Sequence, residues 1–144
     1  MKSTLAILAT AATLAAAAGT AQAATVVTGL NDTLDATPMH YAGHCPGVIT
    51  FHGTVVVSGH IDPGGVAEIG YQFTRSDGAT GQNQYIEAHH TGVYHITETW
   101  TLGGPQLHDY AGWEKFKAWP TADIQNKTGN TWSNEARFTL KCGG

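Results

Sequence analysis

The feature that most constrains this chain is one alternating run, Gly47-Val48-Ile49-Thr50-Phe51-His52-Gly53-Thr54-Val55-Val56-Val57-Ser58-Gly59. Successive side chains of a strand point to opposite sides of its sheet. A period of two therefore sorts Ile49, Phe51, Val55 and Val57 onto one face and Thr50, His52, Thr54 and Ser58 onto the other. Such a strand needs an apolar layer against one face and water against the other. It is expected to be central, with the remaining strands arranged to cover its apolar side.

Those strands are legible by the same alternation. Val66 to Arg75 places Ile69, Tyr71 and Phe73 opposite Glu68, Gln72 and Thr74, and Gln84 to Ala88 is a shorter strand. Val93 to Leu102 gathers Tyr94, Ile96, Trp100 and Leu102 on one face. Glu98 shares that face, so it is expected either at a rim or beside a β-bulge. From Gly112 to Pro120, Phe116 and Ala118 oppose Trp113, Lys115, Lys117 and Trp119, so one of the two aromatic sets must be partly exposed. Glu135 to Cys142 alternates cleanly, with Ala136, Phe138, Leu140 and Cys142 inward. Turns are expected at His60 to Gly65 and Ser76 to Ala79, where Pro, Asp and Gly supply the dihedrals. Ala24 to Leu30 is predicted as an edge strand turned by Asn31-Asp32-Thr33. Pro38 limits the stretch from Leu34 to His44 to a short edge pairing, and Thr121 to Ser133 is predicted as a polar connection. Turns every 8 to 12 residues or so, without helical periodicity, predict an all-β fold: a single antiparallel β-sandwich of seven to eight strands.

Residues 1–23 carry Lys2, an apolar stretch from Leu5 to Ala18, and Ala21-Gln22-Ala23 ahead of Ala24. That is the pattern of a signal peptide, too short and alanine-rich for a membrane span. Cleavage leaves one domain of 121 residues, 24–144, with 6 basic and 11 acidic side chains. Nucleic acid is excluded as a partner by the shortage of clustered basic residues; only Lys115 and Lys117 lie close together. Cys45 and Cys142 are the only cysteines, and an exported pair is expected to oxidise. The bridge would close a loop of about 100 residues and stabilise by at most about 4 to 5 kcal/mol in the chain-entropy model.

Several pieces together resemble secreted bacterial immunoglobulin-like or fibronectin-III-like domains: Cys45-Pro46 with Phe51-x-Gly53, Tyr71-x-Phe73-x-Arg75-Ser76-Asp77-Gly78, Thr99-Trp100-Thr101-Leu102-Gly103 with Tyr110-x-Gly112-Trp113, and Phe138-x-Leu140-x-Cys142. The resemblance covers Cys45 to Cys142. It implies a small extracytoplasmic sandwich without catalytic residues to carry over. Phe73 stands where these domains often have Trp, and the cysteines lie at the start of one strand and the end of the last, unlike antibody domains.

Three kinds of chemistry remain to be weighed. Trp113 and Trp119, with Trp132, are candidates for an exposed aromatic strip that would stack a carbohydrate or bury in a partner protein, with His108 and Tyr110 in the neighbouring loop. Eight histidines offer borderline ligands for zinc or copper, the first pairs to consider being His52 with His95 on outward strand faces and His40 with His44. An enzyme is not expected: neither His-Glu-x-x-His nor Gly-x-Ser-x-Gly occurs. The expectation is a secreted or periplasmic binding module without cofactor, the alternatives being a periplasmic metal-binding protein and an envelope component that self-associates through the segment from Ala24 to His44.

Overall fold

The computed structural model describes residues 25–121, 125–126 and 128–143. The expected signal peptide, 1–23, lies outside the described residues. Two sheets face one another. One holds, in spatial order, β6 (Gly92–Leu102), β3 (Gly47–His60), β1 (Val26–Thr37) and β8 (Gln125–Asn126). The other runs β2 (His40–Gly43), β10 (Ala136–Cys142), β7 (Asp109–Pro120), β4 (Ala67–Arg75) and β5 (Gln84–Ala88), with β9 (Thr131–Trp132) also paired to β7. No helix occurs among the described residues, so the all-β sandwich is as the alternation predicts.

β3 is interior, with β1 on one side and β6 on the other, and its inward residues Ile49, Phe51, Val55 and Val57 are all buried. They meet Ile69, Phe73, Phe116, Phe138 and Leu140 from the facing sheet. Phe51 and Phe138 touch edge to face across the gap, their centroids 5.7 Å apart, and Phe73 packs on Phe116 at 5.5 Å. Burying side chains of this size stabilises by about 1.5 to 3 kcal/mol each. The sandwich is therefore held by its interior far more than by any surface contact.

The disulfide joins Cys45, just ahead of β3, to Cys142 at the end of β10, and so links the two sheets covalently. Gly103 lies against it at φ +96°, and a Cβ there would stand 2.6 Å from the Cys45 sulfur, so the strand leaving β6 can pass the bridge only as glycine.

Three expectations need correction. Asn31-Asp32-Thr33 does not turn the chain. β1 runs through it unbroken, with Asn31, Asp32 and Thr33 opposite Val56, Val55 and Thr54. A 14-residue β3 offers a complete row of hydrogen-bond partners, and that pairing outweighs local turn preference. The only irregularity is a register shift between Val27 and Gly29. Second, the sandwich is not wholly antiparallel, because β2 pairs with β10, and β8 with β1, in parallel. Third, ten strands form among the described residues instead of seven or eight; the extra ones are two-residue pairings, β8 and β9, inside the stretch predicted as a connection.

Candidate functional site

The outer face of the larger sheet is built chiefly by β7. Its alternation sends Glu114, Phe116 and Ala118 into the core and leaves Trp113, Lys115, Lys117 and Trp119 on the outside. β9 brings Trp132 beside Lys117 on the same face, where it is 51% exposed. The lysines interleave with the indoles. Lys115 Nζ lies 5.2 Å from the Trp113 ring centroid and 4.9 Å from that of Trp132, and Lys117 Nζ lies 5.1 Å from Trp119 and 6.0 Å from Trp132. Each such contact at an exposed site is worth about 0.5 to 1 kcal/mol. The result is an alternation of rings and ammonium groups spread over two neighbouring strands, Trp132 of β9 standing beside the lysines of β7, with about 20 Å from Trp113 to Trp119 at the usual strand rise.

The rings have a prepared floor. Gly70 of β4 pairs with Trp119, and a Cβ there would meet Trp119 Cε2, Cζ2 and Nε1 at 2.4, 2.6 and 2.6 Å. Three ring atoms at nearly one height mean that the indole lies along the sheet over Gly70, with Lys117 over the ring. On the other side of Gly70 stands Tyr85, 54% exposed. At the opposite end an apolar hollow of about 430 Å³ runs beside Trp113, lined by Met39, His40, Ala111, Arg137, Phe138 and Thr139. Arg137 and Lys141 complete a basic half of this face, though Arg137 is paired with Glu135 at 2.5 Å and Lys141 stands opposite Asp109. Among the described residues no carboxylate forms an ion pair with Lys115 or Lys117.

The other residues singled out from the sequence lie elsewhere. Tyr110 turns inward, its ring packed on Trp100 and Phe138 and its hydroxyl 3.1 Å from Ser76 Oγ, so it does not join the tryptophans. His108 lines a hollow of about 390 Å³ beside the disulfide, together with His44. His40 is on the larger sheet, with Nδ1 2.9 Å from Thr139 Oγ1, so His40 and His44 face different surroundings. His52 and His95 do lie on neighbouring strands and one face, but diagonally: His52 is opposite Thr97 and His95 opposite Thr54. Among the described residues no group of three or more His, Cys, Asp or Glu converges as metal ligands. The segment proposed to pair with a neighbouring molecule is used within the chain itself, as β1 and β2.

Sequence reasoning missed a charged cluster between the sheets. Glu114 is only 1% exposed and its Oε2 has no hydrogen-bond partner among the described residues. With Glu98 from the facing sheet it lines a partly open hollow of about 150 Å³ beside Phe73, Arg75, Ala79, Thr80 and Gly81, with room for water. Arg75 is committed to Asp77, at 2.9 and 3.3 Å, and stacks 4.5 Å over Trp100. Burial first, then the Glu98 charge, pushes the Glu114 carboxyl up to about 7, against a weaker pull from Arg75 and with a further push from Asp77. Glu98 is half-buried in a regular register with β3, so the inward parity that made it anomalous comes without a bulge beside it. The parity of Glu114 with Phe116 and Ala118 was the available signal. Asp32 is a second inward carboxylate, held above its ordinary range by burial although it accepts a 2.5 Å hydrogen bond from Thr131.

Comparison with family models, with curated proteins and with solved structures yields no match to this chain. The disulfide is the mark of an oxidising compartment outside the cytosol. No helix among the described residues is long and apolar enough to cross a membrane.

Proposed function

We propose that this protein is an exported, non-enzymatic binding module of immunoglobulin-like type, released from its signal peptide at Ala24, and that its working surface is the tryptophan and lysine face of the larger sheet. The observation that carries this reading is the interleaving of Trp113, Lys115, Lys117 and Trp119 of β7 with Trp132 of β9 on one outer face. Large aromatic area left in water is unfavourable to folding and favourable to association, and Trp is among the residues that most often dominate binding energy. The rings are held by the strand ladder and by the Gly70 floor, so little side-chain freedom is lost when a ligand settles.

Three of the four tryptophans lie on this face and the fourth, Trp100, is in the core. Intrinsic emission therefore reports on the proposed surface. Titration with native envelope extract is expected to shift the emission of the wild-type protein, and replacing Trp113, Trp119 and Trp132 by Phe is expected to abolish co-sedimentation with the envelope material, with the fold intact by circular dichroism. A ligand that binds the triple variant as tightly as the wild type would move the working surface elsewhere.

A further inference from the structure

The same face carries an inference about the class of ligand, which rests on the binding-module reading. We infer that it takes an acidic polysaccharide, with sugar rings stacked on the indoles and carboxylate or sulfate groups met by Lys115 and Lys117.

Charge distribution is the first argument. Of the 6 basic side chains beyond residue 23, Lys115, Lys117, Arg137 and Lys141 lie on the outer face of the larger sheet, while Glu68 and Glu87 stand opposite one another on the same face at its β4–β5 edge, away from Lys115. Arg137 and Lys141 have acidic neighbours in Glu135 and Asp109, whereas Lys115 and Lys117 rest on indole rings. The outermost layer along β7 is thus cationic on an aromatic bed. A lysine held only by an exposed ring contact can swing to an anion, because a charge-assisted hydrogen bond is stronger than the contact it leaves. As it swings it uncovers the ring beneath.

Shape is the second argument. Trp113, Lys115, Lys117 and Trp119 follow β7 with Trp132 of β9 beside them, and Trp119 lies along the sheet over Gly70. A band of rings two strands wide with cations between them is complementary to a chain whose repeating unit has one flat apolar face and one acidic group. An acidic peptide would offer the charges without a regular series of flat faces. A neutral glucan would offer the faces and leave the lysines unanswered.

The test is affinity electrophoresis of the purified protein in native gels containing polygalacturonate, a neutral β-glucan or neither, with polyglutamate as a soluble competitor. Retardation is expected in polygalacturonate alone and is expected to weaken as salt screens the lysines. Trp132→Ala and the pair Lys115→Gln with Lys117→Gln should each weaken it about tenfold or more, while Thr99→Ala on the opposite sheet should leave it unchanged. Neutral glucan binding indifferent to the lysine exchange would overturn the acidic class while keeping the aromatic surface. Equal displacement by polyglutamate would reduce the effect to charge and overturn the stacking. Absence of retardation in every gel, with co-sedimentation on envelope material still present in the wild type and lost in the triple Phe variant, would overturn the glycan and keep the binding module; absence of both would remove the two together.

Discussion

The two outer faces of this sandwich obey the same alternation and face the same solvent, but they are built from different material. On the smaller sheet, rows run Thr37-Thr50-Thr99, Asp35-His52-Thr97 and Thr33-Thr54-His95, and Thr33 and Thr54 hydroxyls meet at 2.5 Å. These are short polar or β-branched side chains that suit a pleated surface and ask for no partner. On the larger sheet the equivalent positions hold Trp113, Lys115, Lys117, Trp119 and Trp132. Strand formation explains the first face completely. It does not explain the second, where Trp132 is exposed and the half-buried Trp113 and Trp119 are capped by lysines, and that surplus is what the proposed working surface rests on.

Both faces depend on one interior, and the largest expected effect tests this. Phe51→Ala should cost about 3 to 5 kcal/mol, since Phe51 is fully buried against Phe138. Unfolding followed by tryptophan emission and by far-ultraviolet circular dichroism should coincide. Separate transitions would mean that the two sheets are independent units.

Next in size is the cluster between the sheets. The folded Glu114 holds its proton up to about pH 7, above its ordinary 4.5, so the folded state binds more protons than the unfolded one between those values. Stability should therefore fall as pH rises through that window and level off above it, by roughly 3 kcal/mol from this group. Asp32, raised in the same sense, adds to the fall, and Asp77, lowered chiefly by the Ala79 amide, opposes it at lower pH. Glu114→Gln should flatten the curve and be more stable than wild type at pH 8 by chemical denaturation; an unchanged pH dependence would place the titrating group elsewhere.

Smaller still in stability, but sharper for the comparison, is Gly70→Ala. The new methyl group would stand 2.4 to 2.6 Å from three Trp119 ring atoms, so the ring must shift from its place over Gly70. Ligand affinity should fall about tenfold or more, equivalent to about 1.4 kcal/mol, with the fold retained. Thr99→Ala on the other sheet should change stability by less than about 0.5 kcal/mol and leave binding untouched. If Thr99 affected binding as strongly as Gly70, the assignment of the working face would be reversed.

Much of this architecture was legible because it depends on a period of two. The apolar faces of β3, β4, β6 and β10 follow from alternation alone, as does the division of β7 into Phe116 and Ala118 against the tryptophans and lysines. The inward position of Glu114 follows from the same parity but was missed, because a carboxylate is ordinarily assumed to seek water. β1 was misread where Asn31 and Asp32 carry turn chemistry, and Tyr110 was misassigned because its parity with Gly112 was not followed from the loop into the strand.

Two properties were written in the chain before it folded: a layered β architecture, because alternation fixes which side of each strand seeks a core, and a single bridge, because only Cys45 and Cys142 exist to make it. What waited for the tertiary structure was every relation between strands distant in sequence. Trp132 joins Trp113 and Trp119 only because β9 pairs with β7, and Glu98 meets Glu114 only because the two sheets face one another. Parity tells a residue which way to point, but its neighbours are chosen by strand order and register, which hydrogen bonding between remote segments decides.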